Sequence, residues 1–324
     1  MTENIDRFGR RITYLRISVT DRCNLRCIYC MPAAGVPWRS HDEILRYEEI
    51  ARIVGVAARL GIRKVRLTGG EPLIREGIVD LIAEMREIPG IEELVMTTNG
   101  TLLSRYARGL AAAGLDRVNV SLDTLRPERF QKITRLGNLA DTLAGIAAAQ
   151  EAGLNPIKLN AVVMRGINDD EVADLAALSR EGFGVRFIEW MPIGEPTESF
   201  TERFVPGGKI KARIEDALGP LTPVREEGPA RVYRLEGAPG EIGFVTAFSA
   251  PFCANCNRIR LTADGRLRPC LLSPGEIDLQ DPLRAGATEA ELRELLKRGI
   301  REKPFAHGIP SESPHDRTMS EIGG

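Results

Sequence analysis

The sequence predicts an α/β fold: a partial (βα)6 TIM-like barrel over residues 1–192, then a C-terminal extension over 193–324. Three observations predict it. Short β-branched runs alternate with longer amphipathic stretches from residue 14 to about 192. Glycines stand just past most of the helical stretches. Beyond 192 the alternation lapses and Gly and Pro rise, as in VPGG, LGPLTP and GAPGE.

Six runs read as strands: YLRISVT (14–20), KVRLTG (64–69), ELVMTTN (93–99), RVNVSLD (117–123), PIKLNAVVM (156–164) and VRFIEWM (185–191). Between the first two, 42–60 reads as a helix, with Ser40 and Glu43 in capping-box spacing at its start and Gly61 past its end. Segments 76–88, 104–113, 141–152 and 170–181 read the same way, the last three followed by Gly114, Gly153 and Gly182. Six βα units are two short of a closed eightfold barrel. They suit an open partial barrel or, as the alternative, a doubly wound sheet. The extension shows a helix at 207–218, strand-like runs at 231–236, 241–248 and 258–263, and a last helix at 288–298 opened by Thr288 and Glu291. The tail from 303 reads as polar and irregular.

The chain has 324 residues, 43% hydrophobic and 27% charged, which is enough apolar content for a large core. Lys and Arg number 44 against 45 acidic residues, so a protein held to nucleic acid through phosphates is not expected. No apolar run suits a signal peptide or a membrane span. The expected location is therefore cytoplasmic, where disulfides are rare. Six cysteines in two groups, 23–30 and 253–270, then read as thiolates for metal.

The first group, DRCNLRCIYCMP, spaces Cys23, Cys27 and Cys30 as C-x3-C-x2-C directly after the first predicted strand. Soft thiolates select zinc, copper(I) or iron–sulfur clusters. Structural zinc and ordinary cubane clusters take four protein ligands, yet no fourth lies in this loop. Three thiols on a four-iron cluster leave one iron open for chemistry. The alternative is a zinc loop recruiting His41.

In βα barrels functional groups gather at the C-terminal strand ends. Gly69–Gly70–Glu71–Pro72 ends the second strand, where glycines permit a close backbone approach. Thr97, Ser121 and Met191 fall near the ends of strands three, four and six; singly, each reads as packing or capping. Arg16, Arg66 and Lys158 are cations within strands, which need an internal carboxylate or a bound anion.

The second group, FCANCNRIRLTADGRLRPCLL, spaces Cys253, Cys256 and Cys270 as C-x2-C-x13-C, again without a fourth. His307 or His315 could complete a zinc site. Period two places Arg258 and Arg260 on one face, either side of Ile259. Paired guanidiniums suit phosphate oxygens. There is no Walker-type sequence, so a nucleotide would be held by side-chain cations.

DRCNLRCIYCMP and RLTGGEP resemble the radical S-adenosylmethionine superfamily. With FIEWMPIG, FCANCNRIRLTADGRLRPC and the terminal Gly323–Gly324, the chain resembles the molybdenum cofactor biosynthesis protein A family, the GTP 3′,8-cyclases, from about residue 7 to its end. The resemblance implies a radical-SAM barrel whose extension carries a second Fe–S cluster. It implies two [4Fe–4S] clusters, on Cys23, Cys27 and Cys30 and on Cys253, Cys256 and Cys270, with S-adenosylmethionine contacted by Tyr29, Gly70, Ser121 and Met191. GTP would meet Arg16, Arg66, Thr97, Lys158, Arg258, Ile259 and Arg260, with the first triplet, Arg258 and Arg260 as the catalytic set and the Gly-Gly tail reaching the site. The implied reaction uses an external one-electron donor. A 5′-deoxyadenosyl radical takes hydrogen from ribose C3′, and C3′ then joins guanine C8. The product would pass to cyclic pyranopterin monophosphate synthase, and a homodimer is compatible with this reading. The rivals are a peptide-modifying radical enzyme with an auxiliary cluster and a non-catalytic zinc or redox-sensing module.

Overall fold

The computed structural model describes residues 3–193, 200–307 and 317–323. Its first half follows the predicted alternation: β1 (Tyr14–Ser18), α1 (Tyr47–Leu60), β2 (Lys64–Thr68), α2 (Ile78–Arg86), β3 (Glu93–Thr98), α3 (Leu103–Ala112), β4 (Arg117–Ser121), α4 (Pro127–Thr134), α5 (Leu139–Glu151), β5 (Lys158–Val163), α6 (Val172–Ala177) and β6 (Gly184–Glu189). Gly61, Gly114, Gly153 and Gly182 all adopt positive φ after their helical stretches, the conformation that ends a helix without Cβ strain.

The later chain contributes α7 (Phe200–Arg203), α8 (Gly207–Leu218), β7 (Leu221–Glu227), β8 (Ala230–Leu235), β9 (Glu241–Val245), β10 (Arg258–Leu261), β11 (Arg266–Arg268), β12 (Ile277–Asp278), α9 (Gln280–Arg284), α10 (Glu289–Arg301) and α11 (Met319–Ile322). Among the described residues the twelve strands form one sheet in the order β12-β11-β10-β1-β2-β3-β4-β5-β6-β9-β8-β7. β10 lies parallel to β1, and β9 parallel to β6. The extension thus supplies a seventh and an eighth parallel strand, one on each side of the six βα units. β9 and β10 do not pair with each other, so the sheet stays open.

Period two divides the faces. Leu15, Ile17, Val65 and Leu67 are fully buried with Ile50, Ile53, Leu81 and Ile82 of the helices in one apolar layer. The opposite face of the same strands carries Tyr14, Arg16, Lys64 and Arg66, and these turn into a cavity. Burial of the helices against one side leaves the other side free for polar chemistry.

The N-terminal boundary of α1 departs from the sequence reading. The Ser40/Glu43 capping box closes only a single turn, His41–Glu43, and the helix proper starts at Tyr47. Ile44 and Arg46 are extended between them, and Leu45 is held by tertiary bonds: its amide donates to the Ala263 carbonyl at 2.8 Å, and the Arg75 guanidinium donates to its carbonyl at 2.7 Å. Tertiary bonds outweigh a cap worth about 1 kcal/mol. The tail also differs from the irregular reading. α11 forms within it, opened by Thr318 and Glu321 in a capping box, and Ile322 is buried. Gly324, like His315, lies outside the described residues.

Candidate active site

A cavity of about 460 Å³ opens on the polar face of the sheet. Cys23, Cys27 and Cys30 line it, as do Tyr29, Gly70, Ser121, Met191, Arg16, Arg66, Thr97, Arg258 and Arg260. Most of the residues singled out in the sequence therefore converge on one space. The exceptions are informative. Ile259 packs in the apolar core on the reverse face and lies outside the cavity lining. Lys158 also lies outside that lining; its ammonium pairs with Glu227, a lining residue. Cys253, Cys256 and Cys270 do not line the cavity themselves; Cys256 and Cys270 border it through Asn257 and Leu271, the residues that follow them in the chain.

Register explains the charge. Arg260, Arg16 and Arg66 are direct cross-strand partners on three adjacent parallel strands, and Arg258, Tyr14 and Lys64 form the next row. The Arg66 guanidinium donates to the Tyr14 hydroxyl at 2.5 Å and to Thr97 Oγ1 at 2.9 Å. None of the ion pairs among the described residues involves Arg66, Arg258 or Arg260. Burial holds the Arg16 guanidinium down to about 10, and burial with Arg16 and Arg258 nearby depresses Arg260 further. Tyr14 reports the same surplus. Burial opposes its ionisation, yet Arg66, Arg16 and Lys64 together lower its phenol to about 7. Stacked cations at this density call for an anion.

The carboxylates on the cavity wall are mostly committed elsewhere. Glu189 accepts from the backbone amides of Gly207, Phe248 and Ser249. Asp123 accepts from the Val162 amide and the Tyr29 hydroxyl, each at 2.8 Å, and burial pushes it up to about 6. Glu227 at the end of β7 pairs with Lys158 and, at 2.7 Å, with Arg186. Burial would raise it, but Arg186 and Lys158 hold it well below the usual carboxylate range. Of the two partners left open for Lys158, an internal carboxylate or a bound anion, the structure supplies the carboxylate of Glu227.

Lys64, Arg186, Asp123 and Glu227 went unmarked in the sequence. Lys64 sits two residues before Arg66, so period two could have found it. Arg186 is flagged only by glycines on its neighbours: a Cβ at Gly243 would come within 3.3 Å of its stem, as one at Gly184 would of the Lys158 stem. The Gly69–Gly70 pair is fixed by a close approach. A Cβ at Gly70 would stand 2.1 Å from the Arg22 carbonyl oxygen, so the pair lets this loop lie on the cysteine loop. Glu71 ties the ends of β2 and β3 by accepting from Leu73 N, Thr98 Oγ1 and Asn99 N.

The soft donors are two triplets of thiols. All six cysteines are free and partly exposed. Among the described residues no three His, Cys, Asp or Glu side chains converge closely enough to chelate one ion. His41 is exposed outside the cavity, and His307 Nε2 is engaged with the Ala247 carbonyl at 2.9 Å. The tail completes the wall. Met319 lines the cavity, and the Gly323 carbonyl accepts from Arg260 Nη1 at 2.5 Å.

A parallel βα sheet bearing a three-thiol loop after its first strand and an open cavity beside it defines a radical S-adenosylmethionine enzyme. The Radical SAM superfamily model matches residues 17–178, and the Molybdenum Cofactor Synthesis C model matches 183–309. The GTP 3′,8-cyclase of Heliobacterium modesticaldum is 53% identical over 99% of this chain and 100% of its own length. That of Moorella thermoacetica is 52% identical over 98% and 99%. Among solved structures, Streptococcus suis SuiB bound to S-adenosylmethionine matches with a TM-score of 0.63 at 16% identity, over 87% of this chain and 68% of that one. Native anSMEcpe with bound AdoMet matches at 0.59 and 15% identity, over 91% and 82%. These two likenesses establish the fold. The chain belongs to the GTP 3′,8-cyclase family of radical S-adenosylmethionine enzymes.

Proposed function

We propose that this chain cyclises GTP to (8S)-3′,8-cyclo-7,8-dihydroguanosine 5′-triphosphate, an early step of molybdenum cofactor biosynthesis. The observation that carries the reading is the double row of cations between two thiol triplets. Cys23, Cys27 and Cys30 would hold the [4Fe–4S] cluster that takes S-adenosylmethionine, with Tyr29, Gly70, Ser121 and Met191 around it. Cys253, Cys256 and Cys270 would hold a second [4Fe–4S] cluster beside the substrate. When bound, these groups supply single-electron cleavage of the sulfonium and hydrogen abstraction from the ribose.

The chain's own residues bind and orient. Arg16, Arg66, Arg258 and Arg260 neutralise the triphosphate, and Thr97, held by Arg66, fixes the approach of the nucleoside. Lys158 reaches the anion only if Glu227 yields it. Ile259 contributes through its backbone, since its side chain belongs to the core. Leu25, Val162, Ile188, Trp190 and Val245 add apolar surface to the wall, which helps exclude water from the reacting atoms. The Gly323 carbonyl keeps Arg260 aimed into the cavity.

Among the described residues no helix is long and apolar enough to cross a membrane. The six free thiols favour a reducing cytosol, an external one-electron donor would feed the first cluster, and the product would pass to cyclic pyranopterin monophosphate synthase. Anaerobic protein given S-adenosylmethionine, dithionite and GTP should form 5′-deoxyadenosine and the cyclic nucleotide together. Formation of 5′-deoxyadenosine at the same rate without GTP would count against the assignment.

A further inference from the structure

The first cysteine loop is seated on an element that the alternation of strands and helices does not require. α4 lies between β4 and α5, and its C-terminal end meets residues 25–31. The last carbonyls of a helix have no partner within it. Here the Ile133 carbonyl accepts from the Ile28 amide and the Thr134 carbonyl from the Arg26 amide, both at 2.9 Å. Gly137 then passes so close under the loop that a Cβ there would stand 2.9 Å from Leu25 Cδ2.

Between these contacts sits Arg135, with φ of +63° and ψ of −38°. Among the described residues it is the one non-glycine at positive φ. A side chain is rarely held in that region unless its surroundings require it. What the conformation achieves is visible in the bonds. Arg135 Nη1 donates to the Arg26 carbonyl at 2.8 Å and to the Met31 carbonyl at 3.0 Å. Residues 26 and 31 immediately flank Cys27 and Cys30, and the segment between them is already a turn, the Cys30 amide donating to the Cys27 carbonyl at 2.9 Å. One guanidinium nitrogen therefore brackets both ends of the Cys27–Cys30 turn. No ion pair among the described residues involves Arg135, so its bonds to the loop are not a by-product of a salt bridge.

We propose that Arg135 is a positioning residue for the first cluster. Its guanidinium fixes the span between residues 26 and 31, and with it the relative placement of the Cys27 and Cys30 thiols. The strained backbone is retained because a glycine would relieve it but carry no guanidinium. The inference rests on the reading that the first triplet holds a four-iron cluster.

The test separates the two triplets. In a full-length chain with Cys253, Cys256 and Cys270 replaced by Ala, only the first cluster can form. In the reciprocal chain with Cys23, Cys27 and Cys30 replaced by Ala, only the second can form. After anaerobic reconstitution each parent should hold about four iron per chain. Arg135→Gly should speed iron release to bathophenanthroline about 10- to 100-fold in the first background and leave the second unchanged, the range expected when a group orienting a metal ligand is lost. Its thermal unfolding midpoint, read by circular dichroism on the metal-free chain, should equal or exceed the parent's, since glycine relieves the positive φ. Arg135→Lys, whose ammonium can still donate to both carbonyls, should retain iron longer than Arg135→Gly. Unchanged release in the first background, or equally faster release in both, would overturn the proposal. A first-triplet parent that binds no iron and sulfide would overturn the underlying reading together with it.

Discussion

The two thiol triplets share a missing fourth ligand but sit in opposite electrostatic surroundings. Burial pushes the Cys23 thiol up to about 11 and Cys30 up to about 12. At the second triplet burial pushes Cys256 the same way, but Arg258 and Lys303 outweigh it and bring the thiol down to about 6. Lys303 is itself anchored by donating to the Arg258 and Pro269 carbonyls, each at 2.8 Å. The first loop is held mainly by backbone bonds and carbonyl-directed arginines. The second stands against the cation rows of β10. The two triplets match in thiol count and differ in surrounding charge, and it is the charge that distinguishes the tasks proposed for them. The carboxylates of Glu71 and Asp123 act on the first triplet and the cations Arg258 and Lys303 on Cys256 of the second, and a cationic site suits a polyanionic nucleotide.

The largest expected effect would break the equivalence outright. Cys27→Ala should abolish both 5′-deoxyadenosine formation and GTP cyclisation. Cys256→Ala should abolish cyclisation but leave some cleavage of S-adenosylmethionine, measured by chromatography of both products. Equal loss of cleavage in the two variants would mean that the triplets act as one unit.

Next is substrate binding. Arg260→Ala removes a buried charge-assisted donor and should weaken GTP binding about 10- to 100-fold by calorimetry, as expected for losing one or two such bonds. Iron and sulfide content should not change. Iron loss from the second cluster in this variant would make the role of Arg260 structural.

The smallest effect sharpens the contrast in the metal-free chain. At pH 7 Cys256 is mostly thiolate and Cys23 almost wholly thiol. Because nucleophilicity falls with thiol pKa, Cys256 should react with iodoacetamide only about 10- to 100-fold faster. The Cys256 rate should fall as pH drops through about 6, whereas the Cys23 rate should still rise as pH approaches 11. Peptide mapping reads both. Matching pH profiles would remove the electrostatic distinction.

Much of this was legible in the sequence because period two and helix punctuation are local signals. α8 spans Gly207–Leu218, the range read from the sequence, and α10 begins at its Thr288–Glu291 capping box. The elements that escaped had no such signal. α4 starts at Pro127, which reads as a break although it occupies the first helical turn. β7 is an edge strand with Pro223 inside it and most of its residues exposed, so it shows no alternation. The cation rows needed register between β10, β1 and β2, which no single strand reveals. Glu227 and Arg135 act through contacts 69 and more than 100 residues away in sequence, and only the folded chain brings them into place.

The central claim is that one triplet serves S-adenosylmethionine and the other serves GTP. Electron paramagnetic resonance of the two single-cluster chains, reduced anaerobically, tests it most directly. S-adenosylmethionine should perturb the spectrum of the chain that keeps Cys23, Cys27 and Cys30, and GTP that of the chain that keeps Cys253, Cys256 and Cys270. A GTP response confined to the first chain, or an S-adenosylmethionine response confined to the second, would contradict the account.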